Sequence, residues 1–169
     1  MIQQLNPTQL IFHTLSHKLD DALPQIRAKA AESLGKIGDR IAVETLINHL
    51  LNETDLETRR TIIQSLGQIG QESVIPHLAP FLADNEPTIR IAAATALGQI
   101  GTEKVLSYLI QSLTDQNPKV RTVAAIALGE IGTEATLAEL SQACSDEDDD
   151  VRLSAVDALG KIGYRYALN

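Results

Sequence analysis

The stretch Asp115-Gln116-Asn117-Pro118-Lys119-Val120-Arg121-Thr122-Val123-Ala124-Ala125-Ile126-Ala127-Leu128-Gly129-Glu130-Ile131-Gly132 decides the fold, because the chain carries five versions of it. Its closing L-G-x-I-G recurs at residues 34–38, 66–70, 97–101 and 159–163. An arginine stands seven residues ahead of each leucine: Arg27, Arg59, Arg90, Arg121 and Arg152, at intervals of 31 or 32 residues. Self-similarity at a fixed period of this size marks an architecture in which each unit buries its apolar face only against its neighbours.

Each unit reads as two helices. Pro24, Pro87 and Pro118 sit three residues before their arginines, where the first turn of a helix tolerates a missing N–H. Asn117 is placed to cap that helix, and the last glycine of each pentapeptide is placed to end it in the left-handed conformation. Apolar periodicity predicts a first helix at residues 7–19, 41–51, 73–82, 103–113 and 134–144. The expected fold is an all-α solenoid of five helix pairs in one domain spanning 1–169. The units cover approximately 7–38, 39–70, 71–101, 102–132 and 133–163.

Composition agrees. Of the 169 residues 44% are hydrophobic, but only 3% are aromatic and there is no Trp, so small aliphatic side chains must do the packing. No apolar run approaches the ~20 residues that span a bilayer. The first seven residues lack the basic and apolar regions of a signal peptide. The single cysteine, Cys144, excludes an internal disulfide and fits a reducing, cytoplasmic setting. A net charge of −8 argues against nucleic acid and anionic lipid as partners, since both need a concentrated basic face. It permits a protein partner with basic patches.

Placing residues at 100° steps separates the faces of the second helix. The arginine falls in the middle of the apolar arc, among residues such as Val120, Ala124, Ala125, Leu128 and Ile131. A charge there requires a partner. An acid lies six residues before each arginine: Asp21, Glu53, Asp84, Asp115 and Asp146. The expectation is a structural ladder of carboxylate–guanidinium pairs, Asp21/Arg27, Glu53/Arg59, Asp84/Arg90, Asp115/Arg121 and Asp146/Arg152. It would fix the turn inside each unit and run along the stack. The alternative, an anion-binding row of five arginines, is the weaker reading because every arginine comes with an acid.

The opposite stripe varies between copies. Its candidate partner-binding residues are Thr61, Gln64 and Gln68 in the second unit, and Ala92, Thr95 and Gln99 in the third. Val123, Ile126 and Glu130 follow in the fourth. Val123 and Ile126, with Ala92 and Thr95, form a candidate apolar patch, which slight rotation of the fourth helix would partly bury.

The pattern D-x-x-x-x-[VI]-R-x-x-A-A-x-A-L-G-x-I-G, met nearly throughout by Asp115 to Gly132, resembles the HEAT-like repeats named after phycobilisome lyases. The resemblance covers about residues 8 to 163. It is specific for an armadillo/HEAT-type superhelix and weakly specific for function. The second copy departs most, with Ile62-Ile63 in place of Ala-Ala and Leu56 in place of Pro. The resemblance implies that the second helices line the concave side. It further implies either a protein-binding scaffold or a bilin-handling lyase-like subunit, for which a bilin would be the cofactor. The di-iron hydroxylase branch of such repeats needs His-Glu pairs. Here His13, His17, His49 and His77 are followed by Thr, Lys, Leu and Leu, so that branch is rejected, and no metal or cofactor is expected. The basic DNA-glycosylase relatives fit poorly with a charge of −8.

Other chemistry is thin. His13 and His17 have zinc-compatible spacing but no third ligand nearby, and read as a solvated helix face. Cys144 aligns with Leu19, Leu51, Leu82 and Leu113, and reads as core. The acidic run at 145–150 lacks the glycine and oxygen spacing of a calcium loop, and reads as a capped turn. No nucleophile triad or phosphate loop occurs, so the reading favours a concave-face protein-binding scaffold over an enzyme. Leu153 and Ala158 are expected to flank an uncovered C-terminal end, suited to self-association, a partner, or continuation of a longer chain as a regulatory module.

Overall fold

Helices stack in two layers in the computed structural model, which describes residues 6–168 and contains no strand among them. The signal-peptide reading of the first residues falls largely outside this range. The second helices are α2 (Pro24–Ile37), α4 (Leu56–Ile69), α6 (Pro87–Ile100), α8 (Pro118–Ile131) and α10 (Asp149–Ala167). Each lies against the next to form one layer. The first helices form the other: α1 (Pro7–Lys18), α3 (Ala42–Asn52), the short α5 (Ile75–Leu78), α7 (Leu106–Ser112) and α9 (Leu137–Ala143).

Local chemistry sets these boundaries. Asn117 caps α8 by accepting from the Lys119 N–H, and Asp55 caps α4 by accepting from the Thr58 N–H. The second unit thus replaces the missing proline with a carboxylate cap. Gly38, Gly70, Gly101 and Gly132 end their helices at φ near +70°. At Gly132 any side chain would also strike Arg165.

Two expectations are corrected here. Residues 73–82 do not form a regular helix. Pro76 and Pro80 break the segment into a 3-10 turn (Glu72–Val74), α5, and a second 3-10 stretch (Ala79–Ala83). Each proline lacks an N–H, and the Pro80 ring excludes the carbonyl four residues back. Gly163 does not end its helix. α10 runs on to Ala167 because its last turn is anchored to the previous unit. Arg165 donates to the carbonyls of Ile131 and Glu130 at 2.9 and 2.7 Å, satisfying the C-terminal end of α8. The Tyr166 hydroxyl accepts from the Glu134 N–H.

The core lies between the layers. Leu34, Leu66, Leu97 and Leu128 from one layer meet Leu46, Leu78, Leu109 and Leu140 from the other, all essentially without solvent contact. Each such leucine contributes roughly 2 kcal/mol. The first glycine of each L-G-x-I-G lets adjacent second helices touch. A Cβ at Gly67 would fall 2.5 Å from Ala96 Cα, and one at Gly98 would fall 2.6 Å from Ala127 Cβ. Gly35 receives Ser65 and Gly129 receives Ala158 in the same way. Ala158, expected at the open end, is therefore buried against α8, whereas Leu153 is exposed.

Candidate functional site

The arginine–acid ladder exists, but its register differs from the expected one. Four of the five guanidinium groups reach the acid of the following unit, 25 or 26 residues on. Arg27 Nε and Nη2 donate to Glu53, both at 2.7 Å, and Arg90 donates twice to Asp115 at 2.8 Å. Arg121 donates to Asp146 at 2.8 and 2.7 Å. Arg59 makes one contact, to Asp84 at 2.6 Å, and stacks over Phe81 with 5.6 Å to the ring centre. The acid six residues earlier offers its backbone carbonyl instead. The Nη1 groups of Arg27, Arg90, Arg121 and Arg152 donate to the carbonyls of Asp21, Asp84, Asp115 and Asp146. One arginine thus ties its own turn and the next unit together.

The acids are held from a third side. Asp84, Asp115 and Asp146 accept from the N–H groups of Glu86, Asn117 and Asp148. The Arg27 hydrogen bonds hold the Glu53 carboxyl below the usual range, and those of Arg121 do the same for Asp146. At Asp115 burial opposes ionisation, but Arg90 and the Asn117 N–H outweigh it and the net direction is downward. These arginines are consumed internally, which removes the anion-row reading. Two groups stand outside the series. Asp21 holds Lys18 at 3.0 Å, and Arg152 pairs with Asp149 on its own helix.

The stripe residues fall on the outer side of the second-helix layer, with one exception. Gln68, Gln99 and Glu130 are exposed, and Thr61, Gln64 and Thr95 are half-buried. Ile126 keeps 43% of its surface. Val123 is half-buried against the core. Ala92 is only 2% exposed, so it is not available as a contact. Its position lies about 40° from Ala96, which packs on Gly67, so the neighbouring helix covers a side chain as short as alanine. The apolar patch therefore reduces to Ile126 and the edge of Val123.

Past the first turn of each second helix, charge along this face is concentrated at its ends. In the first unit Lys29 and Lys36 both hold Glu32, pulling its carboxyl down to about 2. Farther along, Lys161 bridges Glu130 and Asp157. Between them Thr61, Gln64, Gln68, Thr95, Gln99, Val123 and Ile126 form an uncharged band, with the Glu57–Arg60 pair and Lys119 along the edge where α4 and α8 begin. Sequence reasoning picked the positions but not this segregation, which shows only when pairs 31 residues apart are brought together.

Elsewhere, the His13 and His17 rings meet edge to face with Nε2 atoms 3.2 Å apart. Among the described residues no group of three or more His, Cys, Asp or Glu is placed to hold a metal. Cys144 is half-buried against the core, and Asp148 in the acidic run caps α10 through the Asp150 and Val151 N–H groups. A cleft of about 810 Å3 opens beside the broken third unit, lined by Pro80, Leu82, Tyr108 and Gln111 among others. None of the stripe residues lines it. No helix among the described residues is long and apolar enough to cross a membrane.

Two layers of paired helices, stacked through repeated Gly–small-residue and Arg–acid contacts, define an α-solenoid scaffold. The chain belongs to the HEAT-repeat family, whose model matches it at residues 12–88, 43–116 and 107–169. Its fold is similar to a chain in the CpcE–CpcF complex of phycocyanin lyase from Nostoc sp. PCC7120, with 24% identity and a TM-score of 0.76. That match covers 95% of this chain and 66% of the other. It is also similar to YibA of Escherichia coli, at 23% identity and TM-score 0.71, covering 89% of this chain and 59% of that one. A designed armadillo repeat protein in complex with the peptide (KR)4 matches at 18% identity and TM-score 0.64, covering 88% and 80%. The chain thus spans about two thirds or less of the two natural neighbours. Curated proteins give no match.

Proposed function

We propose that this HEAT-repeat scaffold binds a protein through the uncharged band on its second-helix layer, and that it does so without catalysis. The observation that carries the reading is the segregation of charge on that face. Ion pairs occupy both ends, Glu57–Arg60 and Lys119 lie along one edge, and the band between presents hydroxyls, amides and the exposed Ile126. Binding there desolvates few charges, and an apolar anchor ringed by adaptable hydrogen-bonding groups suits a protein contact. Two neighbouring folds come from complexes with a protein or peptide, which agrees with this use of the fold.

The test is Ile126→Asp in the tagged full-length chain, expressed in its source cell. The expected result is loss of a co-purifying partner with a melting temperature close to that of the parent, since exposed substitutions usually change stability by less than about 0.5 kcal/mol. Undiminished capture overturns the reading. A parallel incubation with a bilin and an apo-phycobiliprotein separates chromophore handling from scaffolding. New visible absorbance that persists in Ile126→Asp would place the activity away from the band.

A further inference from the structure

The interior of the stack shows what its two ends lack. Four residues after the arginine, Ala31, Ile63, Ala94 and Ala125 are fully buried by the following unit. Val156 has the same position in the last unit and is 58% exposed. The Gly35, Gly67, Gly98 and Gly129 positions each receive a small residue of the next helix, but nothing lies within 4 Å of a Cβ built on Gly160. Arg152 keeps its bonds to the turn carbonyls but meets no acid from a following unit. The C-terminal face therefore presents unfilled counterparts of the positions that the interior junctions bury.

The first unit carries the other half. One residue before the arginine, Ile89, Val120 and Val151 are fully buried by the preceding unit, whereas Ile26 is 36% exposed. Ile37 is 50% exposed where its counterparts Ile69, Ile100 and Ile162 are buried and Ile131 is half-buried. Ser33 occupies the position that packs onto the preceding glycine, and Ser65 already does so against Gly35. Asp21 Oδ1 accepts from the Leu23 N–H as the ladder acids do from theirs, while Oδ2 is held only by the largely exposed Lys18.

We infer that these ends dock head to tail, the C-terminal face of one copy receiving the N-terminal face of a second copy of this chain. Arg152 takes Asp21 of the next copy, Gly160 receives its Ser33, and Leu153 and Val156 cover its Ile26 and Ile37. The contact continues the interface already repeated inside the molecule, with opposite charges and matched apolar positions on its two sides. Because the two patches differ, the association is heterologous and open-ended.

The experiment is sedimentation of the full chain from micromolar to millimolar concentration, with two blocked variants. Gly160→Leu fills open space in the single copy but leaves no room for Ser33. Ser33→Arg blocks the other end, and circular dichroism verifies that both fold. The wild type is expected to grow in mass without stopping at a dimer. Gly160→Leu retains only its N-terminal face and Ser33→Arg only its C-terminal face, so neither variant can pair with its own copies. Each is therefore monomeric, with association weakened at least about tenfold, the equivalent of one overpacked contact. Mixed one to one, they form a dimer with no larger species. A wild type that stays monomeric throughout overturns the inference. So does a Ser33→Arg protein that dimerises by itself, which would mean symmetric pairing of C-terminal faces.

Discussion

Replacing Arg121 with methionine isolates the inter-unit rung. The Arg121 side chain is only 9% exposed, and the Asp146 carboxylate it serves is 14% exposed. The substitution removes two charge-assisted bonds to Asp146 and the bond to the Asp115 carbonyl, leaving the carboxylate with the Asp148 N–H. Breaking a buried pair costs about 3–5 kcal/mol, and the residual exposure of Asp146 places this case near the lower end, about 3 kcal/mol. For a chain of this size that lowers the melting temperature by about 6–12 °C. Arg152→Met is the internal control. It removes the same kind of turn-carbonyl bonds but no inter-unit carboxylate, so its cost is about 1 kcal/mol, or about 2–4 °C. Thermal melts by circular dichroism at neutral pH read both. If Arg121→Met melts within about 2 °C of Arg152→Met, the rung between units contributes nothing, and the account of the ladder fails.

Other outcomes follow from the same contacts. Gly67→Ala forces a Cβ against the Ala96 backbone and should cost about 1–3 kcal/mol, whereas Gly160→Ala, in open space, should be neutral or stabilise by up to about 1 kcal/mol; urea titration compares them. Glu53, Asp84, Asp115 and Asp146 have lowered folded pKa values, so the unfolded chain takes up their protons first as the pH falls. Their stabilisation is therefore complete above the ordinary carboxylate range near pH 4 and is lost below it; a flat melting temperature from pH 5 to pH 2 would contradict this. Arg165→Ala uncaps the Glu130 and Ile131 carbonyls and should cost about 1 kcal/mol, seen as faster amide exchange in the last turns of α8 and α10.

Much of the fold was legible because each structural demand recurs. Five copies of one glycine, one arginine and one acid single out positions that every junction needs. The pairing register was not legible from one copy. A separation of six residues looks like a local pair, yet the guanidinium spans the turn and meets an acid 25 residues on. The clue lies at the two ends, where Asp21 and Arg152 lose their counterparts. Gly163 shares its pentapeptide with four helix-ending glycines, but Arg165 behind it finds the α8 carbonyls and keeps the helix going. Ala92 was misplaced because a helical wheel sees one helix, while its burial is imposed by the neighbouring one. The broken third unit was marked in the sequence by Pro76 and Pro80, which outweigh apolar periodicity over so short a segment.

The central claim is that the repeated residues build the scaffold while the uncharged band makes the contact. A photo-crosslinking residue placed in turn at Gln68, Thr95 and Ile126 on the band, and at Glu44 and Ser107 on the other layer, tests it in the source cell. The account predicts a shared adduct from the three band positions and none from Glu44 or Ser107. Adducts confined to Glu44 and Ser107 on the first-helix layer would contradict it.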